Sequence, residues 1–311
     1  MDPMASVSDL IPCCTLADDS ACRSAGSELL SALDYDFSSW KDEESGKIRH
    51  TLYFTTEEEA LAACRELESK QEEFASFGVI FRDFSVSKLK KEDWAESWKI
   101  HFKPLEISPR LAVMPSWAEF ELKEGQKRLV LDPGMSFGTG QHATTKSCLA
   151  AIDDYLLESR KKGEKAPIML DAGSGSGILA IAALLLGAEK VDAFDIDPDT
   201  LETARENARE NGIADELLTL QALPLLDFHP TCRYDIVAAN ILSSALLAGK
   251  ERLLACCKKG GILILAGILD KEYEGVREAF ESTGLCRQIR SIQEAEWRGG
   301  SFEVLGEGGQ A

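Results

Sequence analysis

The chain has 311 residues, 44% of them hydrophobic and 28% charged, which fits a soluble globular protein of two domains. A net charge of −19 repels nucleic-acid phosphates and attracts cationic partners, so direct binding of bare RNA is disfavoured. The longest apolar run, Ile178–Leu186, falls far short of the roughly 20 residues of a membrane helix, and Met1–Leu10 lacks a cationic stretch before an apolar one. A cytoplasmic protein is the expectation.

The first forty-odd residues are poorly patterned. IRHTLYFTT (Ile48–Thr56) has the β-branched and aromatic character of a strand. Thr56 with Glu59 three positions later reads as a capping box opening a helix, with Ala60, Leu61, Cys64, Leu67 and Phe74 at helical spacing. GVIFRDFSV (Gly78–Val86) alternates like a half-buried strand. Residues 1–88 are thus expected to form a small α+β domain. LKKEDWAESWKIHFKP (Leu89–Pro104) reads as an amphipathic linker helix with Trp94 and Trp98 on one face. Strand-like segments follow at Lys103–Ile107, Leu111–Pro115 and Arg128–Leu131.

From Thr144 onward helix and strand alternate. Helices are predicted at Thr144–Glu158, Ile178–Gly187, Pro198–Asn211, Ser243–Cys256 and Lys271–Thr283. Strands are predicted at Ile168–Asp171, Lys190–Asp195, Leu217–Gln221, Tyr234–Ala239 and Ile262–Ala266. Two closing strands, Cys286–Ile292 and Ser301–Leu305, are joined by a presumed turn at Gly299–Gly300. Such alternation implies α/β architecture with a mostly parallel sheet, and the terminal hairpin places one antiparallel strand in it. Residues 104–311 are expected to be this second domain.

DAGSGSG (Asp171–Gly177) lies between a predicted strand and helix, where glycines permit positive φ and close approach of a ligand. The helix N-terminus favours an anionic group. A dinucleotide fingerprint would need glycine where Ile178 stands, so a carboxylate-bearing ligand such as S-adenosylmethionine fits better than a pyrophosphate. This weighs against an NAD-dependent oxidoreductase. Asp195, ending the next strand, is placed to accept hydrogen bonds from ribose hydroxyls, and Asp197 is read as the helix cap before Pro198. Asn240 follows the strand DIVAA, where open α/β sheets bind ligands. With nine scattered cysteines, no CxxC and no ligand spacing among four histidines, no metal is expected.

Together the segments EDWAESWK (Glu92–Lys99), LDPGMSFGTGQHATT (Leu131–Thr145), the glycine turn, DIDP (Asp195–Pro198) and ANIL (Ala239–Leu242) resemble the ribosomal protein L-eleven methyltransferase family. Gln141 and Ala143 stand where many relatives have Thr and Pro. The resemblance implies a Rossmann-like class I methyltransferase domain that uses S-adenosylmethionine. It also implies methylation of lysine side chains and the N-terminal amine of the eleventh protein of the large ribosomal subunit. The same chemistry on lysines of a different protein is the alternative. A binding module without turnover is disfavoured by the intact set of candidate residues. Carried over by position, cofactor contacts fall on Thr145, Gly173, Asp195 and Asn240. Gly175 of the glycine turn and Thr139 of the FGTG loop complete the cofactor set, and Asn240 is also the catalytic candidate. Phe137 and His142 are weaker candidates for a cation–π contact and a base. Nothing in the sequence demands more than a monomer.

Overall fold

The structure, a computed structural model, describes residues 10–20, 25–33, 35–41, 48–90, 103–132 and 143–306. It divides into two compact units, Met1–His101 and Phe102–Ala311.

The first unit is a four-stranded antiparallel sheet in the order β2-β3-β1-β4, formed by β1 (Leu10–Asp18), β2 (Phe37–Lys41), β3 (Ile48–Tyr53) and β4 (Phe81–Lys90). Helices α1 (Ala25–Ala32), α2 (Glu57–Ser69) and α3 (Gln71–Ser76) complete it. Cys14, Leu16, Leu30, Leu52, Leu67, Phe74 and Phe81 make its core. The segment that looked unpatterned in sequence therefore supplies the central strand β1. The capping box is present: Thr56 accepts from the Glu59 N–H at 3.2 Å, and the Glu59 carboxylate accepts from the Thr56 N–H at 3.0 Å. Two details differ from expectation. Leu61 is 37% exposed and Ala63 takes the inward position, while Phe74 belongs to the separate helix α3. Leu89 and Lys90 end β4, and the rest of the expected linker helix, with Trp94 and Trp98, lies outside the described residues.

The second unit opens with a three-stranded sheet of β5 (Leu105–Ser108), β6 (Leu111–Met114) and β7 (Lys127–Val130). The alternating pattern follows: α4 (Ala143–Lys161), β8 (Ile168–Ala172), α5 (Ile178–Leu186), β9 (Lys190–Asp195), α6 (Pro198–Glu210), β10 (Leu218–Ala222), β11 (Tyr234–Asn240), α7 (Ser243–Ala248), α8 (Lys250–Cys256), β12 (Cys257–Leu269), α9 (Asp270–Glu281), β13 (Cys286–Glu294) and β14 (Trp297–Val304). The large sheet has the order β10-β9-β8-β11-β12-β14-β13, parallel throughout except that β14 runs against both its neighbours. Alternate residues of the central strands face opposite ways into two apolar layers, with Met169, Ile236 and Ala238 on one side and Leu170, Val237 and Ala239 on the other. Helix α5 lies in the first layer with Ile178, Leu179, Ile181 and Leu186 all buried, each contributing roughly 1.5–3 kcal/mol. Such complete burial holds the glycine turn, which opens this helix, at a fixed place on the sheet.

Packing explains two departures from the predicted elements. The helix expected over Ser243–Cys256 is split at Gly249, where an added Cβ would come within 2.1 Å of Leu225 Cδ2. The final hairpin turns at Ala295–Glu296, not at Gly299–Gly300, and both glycines lie within β14. Gly300 is needed there because the Tyr273 hydroxyl sits 2.1 Å from where its Cβ would be.

Candidate active site

The chain leaves β8 for β9 on one side, whereas β11 and β12 lie on the other. The carboxyl ends of β8 and β11 therefore flank the crevice in which open α/β sheets bind ligands. β8 delivers Gly173 to this place and β11 delivers Asn240. The fit is close: a Cβ on Gly173 would stand 2.3 Å from Ile241 Cγ2, and Gly173 also has φ +80°. Gly175 and Gly177 are likewise left-handed, at φ 49° and 77°, so the turn is built on conformations that glycine adopts without strain.

The donors of this turn are largely engaged by the protein itself. The Gly173 and Ser174 N–H groups donate to the Phe194 carbonyl at 2.9 and 3.0 Å. The Gly175 N–H donates to Asp195 Oδ2 at 2.8 Å, and the Ala180 N–H, in the first turn of α5, donates to Asp171 Oδ2 at 3.1 Å. The sequence-based expectation of an open anion site on these amides is thereby corrected: two of them hold the chain's own carboxylates. Asp195, half-buried at the end of β9, also accepts from the Asp197 N–H at 3.1 Å. Asp197 caps α6 through the Asp199 N–H at 2.9 Å, as its position before Pro198 suggests.

Asp171, which the sequence reading treated only as the end of a strand, is fully buried. Burial pushes its carboxyl up to about 7, opposed by the Ala180 hydrogen bond and reinforced by the neighbouring Asp195 charge. An unfolded chain releases this proton near pH 4. Between pH 4 and 7 the native state retains a proton that the unfolded state has lost, so stability falls across this window as pH rises. Asp171→Asn removes that dependence. In urea melts without cofactor, the variant is expected to gain on the parent between pH 5 and pH 8, by roughly 2.7 kcal/mol for the two pH units below a carboxyl that titrates near 7. An equal difference at both pH values would refute the titration.

Asn240 Nδ2 lies 3.5 Å from the hydroxyl of Thr145, a buried residue in the first turn of α4. The amide turns its carbonyl away from Thr145. Asn240 Oδ1, Asp171 Oδ1 and Ser174 Oγ are all buried and find no hydrogen-bond partner among the described residues. Orphaned polar atoms of this kind cost free energy unless a ligand or water meets them. They fit a small polar ligand such as the methionine portion of S-adenosylmethionine. Of the residues singled out in sequence, Gly173, Gly175, Asp195, Asn240 and Thr145 flank this crevice. Thr139, Phe137 and His142 lie outside the described residues.

A seven-stranded sheet with one reversed strand, a glycine turn after its central strand and a carboxylate ending the next define a class I S-adenosylmethionine-dependent methyltransferase fold. The sequence matches the family described as "Ribosomal protein L11 methyltransferase (PrmA)" over residues 23–302. It is 41% identical over 226 residues to a "Ribosomal protein L11 methyltransferase" of Citrifermentans bemidjiense, covering 72% of this chain and 71% of that protein. It is 44% identical over 213 residues to the protein of the same description in Trichlorobacter lovleyi, covering 68% of each. The crystal structure of a ribosomal protein L11 methylase from Lactobacillus delbrueckii subsp. bulgaricus superposes with a TM-score of 0.58 at 30% identity, over 66% of this chain and all of that one. The chain belongs to the ribosomal protein L11 methyltransferase family.

Proposed function

We propose that this protein methylates lysine side chains and the N-terminal amine of the eleventh protein of the large ribosomal subunit, using S-adenosylmethionine. The observation that carries this reading is the unpartnered Asn240 carbonyl at the carboxyl end of β11, across from the glycine turn that follows β8. The cofactor supplies an activated methyl group on a positively charged sulfur. Asp195 is suited to hold the ribose hydroxyls, and Gly173 lets the ligand lie against bare backbone.

The protein's own contribution to the reaction is orientation and desolvation. A lysine of pKa ~10.4 must lose its proton, which at pH 7 costs roughly 4.6 kcal/mol. A desolvated site beside a cationic group disfavours the ammonium form and reduces that cost. Asn240 Oδ1 then accepts one N–H of the neutral amine and aims its lone pair along the line of displacement. The acidic first third of the chain, with 21 acidic and 11 basic side chains in residues 1–99, suits recognition of a cationic ribosomal protein. We assign residues 1–88 that role, in a monomer working in the cytoplasm.

Incubation with methyl-labelled S-adenosylmethionine and ribosomal protein from cells lacking the enzyme tests the reading. Label is expected on large-subunit protein eleven. Label on another protein would retain the chemistry and overturn the substrate, and absence of label on any protein would overturn both.

A further inference from the structure

Helix α6 and the strand end that leads into it are fastened to three consecutive residues of the glycine turn. At its N-terminal approach, Asp195 accepts from the Gly175 N–H at 2.8 Å. In its middle, Ala204 Cβ stands 3.0 Å from where a Cβ on Gly177 would lie, so helix and turn are in close contact. One turn further on, Asn207 Nδ2 donates to the Ser176 carbonyl at 2.8 Å. The end of the same helix reaches a different strand. Asn211, its C-cap, accepts from the Val130 N–H at 2.7 Å and donates to the Val130 carbonyl at 2.7 Å, while also donating to the Asn207 carbonyl at 2.8 Å. The Asn211 amide thus pairs with the last residue of β7 as a neighbouring strand would. The next two residues are held from the other side: the Leu131 N–H donates to the Met114 carbonyl at 3.0 Å, and Asp132 accepts from the Ser116 N–H at 2.6 Å.

Beyond the bond from Asn211 to the Asn207 carbonyl at the helix end, both asparagines use their side-chain amides to satisfy backbone groups distant in sequence. We propose that Asn207 and Asn211 are positioning residues for the cofactor, locking the glycine turn and the end of β7 to one strut, α6. The inference rests on the functional reading above. Without Asn211 both polar groups of Val130 lose their partner, and without Asn207 the Ser176 carbonyl does. Binding must then order a turn that is preorganised in the parent, and affinity falls although no ligand contact has been deleted.

The test is calorimetric titration of the full chain with S-adenosylhomocysteine, alongside initial rates. Asn211→Ala and Asn207→Ala are each expected to raise the Kd at least tenfold and to raise the KM for S-adenosylmethionine. Their kcat at saturating cofactor and KM for the protein substrate should stay within about threefold of the parent. Val276→Ala, which opens a cavity in the buried face of α9, should lose thermal stability yet bind as the parent does. A folded Asn207 or Asn211 variant with a Kd within twofold of the parent would overturn the proposal, as would an equal loss of affinity in Val276→Ala. If Asn211→Ala does not fold, Asn207→Ala carries the same test. A parent chain that binds no cofactor overturns the functional reading as well, whereas normal parent binding with unaffected variants overturns only the positioning role.

Discussion

Asn240→Ala is expected to lower kcat by about 10²–10³-fold, as loss of one preorganised polar contact to a reacting group typically does. The cofactor Kd should stay within a few-fold of the parent. Asn240 ends β11, whose four preceding residues are buried and whose register against β12 runs Ala239–Leu265 and Asn240–Ala266. The backbone carrying it is therefore rigid, and Thr145 orients the amide. Truncation leaves this scaffold in place and removes only the acceptor for the amine. Asn240→Asp is the informative companion. A carboxylate also accepts from the amine, but it favours the ammonium form, so the rate should fall while its pH profile moves to higher pH. Single-turnover rates with saturating cofactor and protein substrate measure both effects. Alanine-variant rates within threefold of the parent would dismiss the role.

The parts of the site that lie on alternating strands and helices were legible in the sequence. A parallel strand buried on both faces reads as a continuous apolar run, and the residue following it is where ligands bind, so the positions of Gly173, Asp195 and Asn240 follow from pattern alone. The Thr56 capping box and the Asp197 cap were legible because their partners are only two or three residues away. β1 was not. Its sequence LIPCCTLAD is buried at six of nine positions and half-buried at the other three, hence it shows no alternation, and Pro12 argues against a central strand. Pro12 is tolerated because the β1–β3 ladder begins only at the Cys13–Tyr53 pair. Gly299 and Gly300 read as a turn because sequence shows the missing side chain and not the Tyr273 hydroxyl that fills its place. Asp171, Asn207 and Asn211 were passed over for a related reason: their partners Ala180, Ser176 and Val130 lie 9, 31 and 81 residues away. The pairs nearest in sequence leave a local signature, while those 31 and 81 residues apart exist only once the fold has formed.

Asp195→Ala should weaken cofactor binding about 100-fold. Hydrogen bonds to a charged acceptor contribute about 1.5–3 kcal/mol each, and a ribose offers two hydroxyls to one carboxylate. About 1.4 kcal/mol corresponds to a factor of ten, so the low end of that range already gives the expected loss. A second effect acts through the protein, because the Gly175 N–H loses the acceptor that now holds it at 2.8 Å. Asp195→Asn separates the two: its amide carbonyl can still accept from Gly175, so its loss should be smaller and reflect the missing charge. Calorimetry with S-adenosylhomocysteine and with an analogue lacking the ribose hydroxyls completes the comparison. The analogue should bind parent and Asp195→Asn alike, since the contact distinguishing them is absent from it. An unchanged Kd for S-adenosylhomocysteine in Asp195→Ala would refute the ribose role. The same substitution also removes a charge that raises the Asp171 carboxyl. The pH window over which the parent loses stability should therefore narrow in Asp195→Ala, with its upper edge moving below pH 7. Because that shift needs no ligand, it reports the electrostatic coupling of the two carboxylates separately from their roles in binding.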